Sequence, residues 1–90
     1  MGNILIVDDE PHMRRILQSN LEQDKHKVTA AAGVEEARQL LIGNQYDAVI
    51  TDQKMRDGNG LDVLAAAREA DPAASVVFLT AVATLELAVE

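Results

Sequence analysis

The chain has no cysteine, which excludes disulfides, thiolate metal sites and thiol nucleophiles. It has no tryptophan, and its aromatic residues are Tyr46 and Phe78 alone. A platform that stacks the bases of single-stranded nucleic acid is therefore a poor prospect. Positive charge is also scarce: eight Lys and Arg stand against fifteen Asp and Glu, for a formal net charge of −7. That balance argues against direct nucleic acid binding by this chain, because gripping a phosphate backbone needs a basic surface. It does not bear on a DNA-binding domain carried elsewhere in the same protein. No apolar run approaches membrane-spanning length. The start, MGNILIVDDE, lacks the basic region and long apolar stretch of a signal peptide. The expectation is a soluble cytoplasmic domain with no membrane contact.

What is present suits one small globular unit. Ninety residues, 48% hydrophobic and 26% charged, allow one modest core built from Leu, Ile, Val and Ala and are wrong for a disordered chain. Residues 4–7 (ILIV) read as a strand buried on both faces. Asp8, Asp9 and Glu10 stop it, and Pro11 suits the first turn of a helix with Met13, Ile16, Leu17 and Leu21 along one face. Residues 27–31 form a weaker second strand, and Gly33 turns the chain into a helix marked by Val34, Ala37, Leu40 and Leu41 and ended by Gly43-Asn44. Residues 46–51 form a third strand closing on Asp52, followed by a Gly- and Asp-rich loop, QKMRDGNG. A third helix starts near Leu61 and stops before Pro72. Residues 75–79 are a fourth strand ending at Thr80, and Thr84 can cap a last helix running to Glu90. This βαβαβαβα alternation predicts a parallel sheet with helices on both faces, joined by right-handed crossovers.

The polar residues fall at one edge of that sheet. Asp8 and Asp9 follow the first strand, Asp52 the third and Thr80 the fourth, all at carboxyl ends, where open parallel sheets bind ligands. Each alone has a plain explanation. An Asp after a strand often forms a turn, Asp8-Asp9-Glu10 can complement a helix dipole, and Thr80 can be an ordinary strand residue. Their coincidence at three strand ends is harder to dismiss. Gathered carboxylates repel one another unless a cation sits among them, and a hard, oxygen-loving ion such as Mg2+ is the natural occupant.

The segments ILIVDDEP, AVITDQKMRDGNGLDVL and VVFLTA resemble, in order and spacing, the three signature segments of response-regulator receiver domains. The resemblance covers essentially the whole chain, residues 1–90. It implies a flavodoxin-like doubly wound parallel sheet with strand order 2-1-3-4 and four helices. It implies a signalling module rather than an enzyme, one that accepts a phosphoryl group from a sensor histidine kinase onto Asp52 and so controls an output domain. Asp9 and Asp52 are implied as Mg2+ ligands, with Asp8 helping through water and the Lys54 backbone carbonyl completing the set. Thr80 is implied as the switch hydroxyl, assisted by backbone N–H groups near Gln53 and Ala81. The Lys54 side chain falls where the family tunes phosphate lifetime. Arg56 stands where the family usually has proline, which suggests a looser loop, and Gly60 matches the family's loop glycine. His12 and His26 read as surface or helix-end residues. The segment LTAVATLELAVE resembles regulators of the nitrogen-control class, which activate transcription through an ATPase module.

The family's full pattern has five strands, so the sequence reads as a receiver ending in its fourth helix, with a fifth βα unit of roughly 30 residues absent. The family's phosphate-pairing lysine and aromatic switch residue belong to that unit, which predicts impaired phosphorylation. An uncovered apolar fourth strand predicts a homodimer or segment-exchanged dimer through residues 73–90. Two other readings stay open. One is a receiver-like interaction module that works by dimerisation; the other is a small Mg2+-dependent phosphatase using Asp52, which lacks an evident substrate pocket. Aspartyl phosphate formation, or sustained turnover of a phosphate ester, separates them.

Overall fold

The computed structural model describes residues 2–79. Strand β1 (Asn3–Val7) leads to helix α1 (Pro11–Gln23), β2 (Lys27–Ala31) and α2 (Val34–Gly43). Next come β3 (Ala48–Asp52), a short hairpin of β4 (Lys54–Met55) and β5 (Gly58–Asn59), α3 (Gly60–Ala70) and β6 (Val76–Leu79). The main sheet has order β2-β1-β3-β6, and every pairing in it is parallel. This is the expected 2-1-3-4 order, with β6 as the fourth strand of the sheet. The expected fourth helix, and Thr80 and Ala81 before it, lie outside the described residues.

Sequence chemistry explains where the elements begin and end. Pro11 opens α1 at a position that needs no N–H, and the Glu10 carboxylate accepts the His12 N–H to cap it. Asn59 and Asp62 form a reciprocal capping box at the start of α3. The helix stops at Ala70, ahead of Pro72. Central strand β1 is apolar throughout from Ile4 to Val7, and all four residues are buried, as a strand covered on both faces requires. Leu5 and Val7 join a core with Val34, Ala37 and Leu41 of α2 and Val63 and Ala67 of α3. Ile4 and Ile6 point the other way by strand alternation, towards the α1 side.

Two local expectations change, and a third is met with less cover than an apolar face invites. Residues 46 and 47 fall outside β3, which begins at Ala48, because the Asp47 carboxylate takes the Asn3 N–H at 2.7 Å instead of leaving it for a strand partner. The loop after Asp52 is not irregular: its arms pair antiparallel, Lys54 with Asn59 and Met55 with Gly58, and Met55 plugs into the core. Finally, α1 has the expected apolar face, yet none of its residues is fully buried. Among the described residues no second helix packs beside it, so Met13 and Ile16 stay 37% and 41% exposed.

Candidate functional site

The parallel register builds an acidic cluster at the carboxyl edge. Val7 is level with Thr51, so Asp8 and Asp9 leave β1 where Asp52 ends β3. Carboxylate oxygens of Asp8, Asp9 and Asp52 lie within 4.8 Å of one another. Asp8 is buried at 3% exposure, while the other two are partly open to solvent. Backbone donors hold the side chains in place. The Glu10 N–H binds Asp8 Oδ1 at 2.8 Å, the Gln53 N–H binds Asp52 Oδ1 at 2.7 Å, and the Arg56 N–H binds Asp9 Oδ2 at 3.1 Å.

Burial and crowding raise the cost of charge in this cluster. Burial is the chief cause that pushes the Asp8 carboxyl above its ordinary range, and the charges of Asp52 and Asp9 add to it. The Glu10 N–H and the Arg14 guanidinium pull the other way without cancelling the rise. Three close carboxylate oxygens, one of them reluctant to ionise, fit a hard divalent ion that takes oxygen ligands and keeps several waters. A groove of about 340 Å3 opens beside them, lined by Asp9, Arg14, Gly33, Glu36, Arg56 and Asp57 among others.

The structure therefore brings together Asp8, Asp9 and Asp52 as the sequence placed them. Lys54 opens the hairpin two residues beyond Asp52, and its side chain is exposed. His12, in the first turn of α1, is exposed. His26 holds a structural contact elsewhere, its Nδ1 accepting the Gly2 N–H at 2.9 Å. Thr80 and Ala81 lie outside the described residues.

Two residues in the loop carry more than the sequence indicated. Arg56 was read as a sign of looseness, yet its N–H, which a proline would lack, ties the loop to Asp9. Asp57 caps α2 from 22 to 23 residues away, accepting the Val34 N–H at 2.9 Å and the Glu35 N–H at 3.0 Å. A local signal existed for the second: α2 begins after Gly33, which has no side chain to cap it.

Comparison with known proteins shows the family and the fold. Residues 4–90 match the family model described as the response regulator receiver domain. The chain is 37% identical over 86 residues to the response regulator protein PilR of Pseudomonas aeruginosa, covering 96% of this chain and 19% of that protein. It is 36% identical over 89 residues to the alginate biosynthesis transcriptional regulatory protein AlgB of the same organism, covering 99% of this chain and 20% of AlgB. The chain thus spans about a fifth of the length of these curated relatives. Among solved structures, the response regulator TrrA of Thermotoga maritima in complex with Mg(2+)-BeF superposes with a TM-score of 0.83 at 35% identity, covering 89% of this chain and 70% of that one. TrrA in complex with the histidine kinase ThkA gives a TM-score of 0.82 at 36% identity, covering 90% and 70%. Fold, acidic edge and similarity together identify the chain as a member of the response regulator receiver domain family.

Proposed function

We propose that this receiver domain accepts a phosphoryl group on Asp52 from a sensor histidine kinase, in a Mg2+-dependent reaction, within the cytoplasm. The observation that carries the reading is the meeting of Asp8, Asp9 and Asp52 oxygens within 4.8 Å at one sheet edge. Asp9 and Asp52 would hold the ion directly, Asp8 through water, and the Lys54 carbonyl would complete the protein's share. When bound, Mg2+ supplies charge neutralisation and orientation for the phosphoryl oxygens.

The chain's own residues do the rest. An Asp52 carboxylate oxygen forms the new O–P bond as the N–P bond of the kinase's phosphohistidine breaks, and that electron pair stays on the imidazole nitrogen. The Gln53 N–H donates to Asp52 Oδ1, which supports a role for it as a donor to the transferred group. Thr80 acts as the switch hydroxyl; its sequence neighbour Leu79 pairs with Asp52 across the sheet, which supports that role. Arg14 and Arg56, both lining the groove beside Asp9, offset acidic charge as an anionic donor approaches. The module signals by changing state rather than by turnover, and the likeness to AlgB, a transcriptional regulatory protein, supports a transcriptional output.

The test is incubation with acetyl phosphate and Mg2+. An acyl phosphate should form that hydroxylamine cleaves, and Asp52→Asn should abolish it. Equal labelling of Asp52→Asn overturns the assignment. We further propose self-association through residues 73–90, supported by the 54% exposure of Val77 in β6, the outermost strand at its side of the sheet among the described residues. A concentration-independent monomer in sedimentation equilibrium rules that out. Direct binding of nucleic acid by this acidic chain is not expected.

A further inference from the structure

The turn between β4 and β5 is fastened at two points that are remote in sequence. On one side the Arg56 N–H holds Asp9 Oδ2 at 3.1 Å. On the other, the Asp57 carboxylate spans the first two N–H groups of α2, from Val34 and Glu35. A helix N-terminus leaves such donors unsatisfied and favours negative charge, so both partners gain. The approach is close enough to dictate composition. A Cβ at Gly33 would lie 2.6 Å from Asp57 Oδ1, and one at Gly58 would lie 2.8 Å from the Val34 Cγ2 atom. Gly58 also has a φ of +156, which disfavours any side chain.

We infer that Asp57 is a positioning residue for the acidic site, pinning the hairpin to α2 so that the Arg56 N–H fixes the Asp9 carboxylate. The inference rests on the metal-dependent reading above and deepens it. Groups that orient a metal ligand matter almost as much as the ligand, and here the orienting chain runs Asp9, Arg56, Asp57, Val34. Coupling of this kind is reciprocal, so a cation that engages Asp9 should also be felt at the Val34 and Glu35 N–H groups, which Asp57 holds.

The experiment measures Mg2+ affinity by calorimetry and follows amide NMR signals during the same titration. In the unmodified chain the Val34 and Glu35 amide signals should shift as Mg2+ saturates the site. Asp57→Ala should weaken Mg2+ binding by roughly 10-fold, the lower end of what loss of a supporting partner does, and should abolish those two shifts. Asp57→Asn keeps one accepting oxygen and should fall between. Gly33→Ala, which drives a methyl group into the Asp57 carboxylate, should behave like Asp57→Ala although it leaves the loop sequence intact. Ile42→Gly, at a site 76% exposed near the far end of α2, should lower Tm without changing Mg2+ affinity. Should the unmodified chain bind no Mg2+, the site reading itself fails and this inference with it. Should it bind while Asp57→Ala binds equally well, or while Ile42→Gly weakens binding as much, only the positioning role is overturned.

Discussion

Gly60 and Asp52 are in backbone contact: a Cβ at position 60 would stand 2.8 Å from the Asp52 carbonyl oxygen and equally close to the Phe78 ring. The Gly60 N–H is meanwhile bonded to the Gln53 carbonyl oxygen at 3.0 Å, so the glycine can back away only by breaking that bond. Gly60→Ala gains helix propensity at the start of α3, worth about 1 kcal/mol at most. Forcing an extra methyl into packed surroundings costs about 1–3 kcal/mol, and the atom it meets belongs to a rigid strand. The clash wins: Tm should fall, and acetyl phosphate labelling of Asp52 should slow. A labelling rate unchanged from the unmodified chain would show that the contact has no bearing on the site.

Asp8 sets stability against function. A carboxyl whose pKa is raised on folding binds its proton more tightly in the native state. The metal-free protein therefore loses stability as pH rises through the window between the ordinary aspartate value and the raised one. Asp8→Asn removes this penalty and keeps the oxygen that accepts the Glu10 N–H. It should stabilise the metal-free chain at neutral pH and weaken Mg2+ binding. Urea melts with and without Mg2+ check both halves, and destabilisation of the metal-free form would contradict the first.

Asp57 behaves in the opposite sense. Its pKa is lowered by the Glu35 N–H first and the Val34 N–H second. Its contribution is complete above the ordinary aspartate value of about 4 and is lost as pH falls through the depressed native value. The Val34 and Glu35 amide signals should titrate together at a pH below that of a free aspartate, and Asp57→Ala should remove the transition. An inflection above the free value would show that the capping bonds are absent in solution.

Asn59→Ala removes the side-chain half of the α3 capping box, in which Asn59 Oδ1 accepts the Asp62 N–H at 3.1 Å. Loss of such a cap costs about 1 kcal/mol, which thermal denaturation should register. A change below a few tenths would mean that water replaces the bond at this exposed position.

How much of this was legible in the sequence follows from the range of each interaction. The ILIV run of β1 and the Pro11 start of α1 depend on neighbours in the chain, and sequence reading placed them within a residue. Asp8, Asp9 and Asp52 could be gathered from 43 residues apart because parallel topology puts every strand's carboxyl end at one edge. The Arg56–Asp9 and Asp57–Val34 bonds could not be foreseen in that way. They join side chain to backbone across 47 and 23 residues, and no periodicity encodes them. The apolar face of α1 was legible for the opposite reason, since it is written in local spacing, but such a face announces a need for cover without saying what provides it. The two lost residues of β3 turn on a single side-chain bond from Asp47.

The placement of β1 between β2 and β3 has a consequence for the order of folding. The strand that comes first in this sheet's chain order pairs with both neighbours, so its second ladder cannot close until residue 52 has been made. Non-local closure of this kind is the slow part of assembling a parallel sheet. Zipping β1 against β3 also carries Asp8 and Asp9 to Asp52, so the charged site and the central ladder are completed in one step. Refolding followed by Mg2+ binding should then show no lag behind recovery of the core, because a chain that has closed its middle has already built its site.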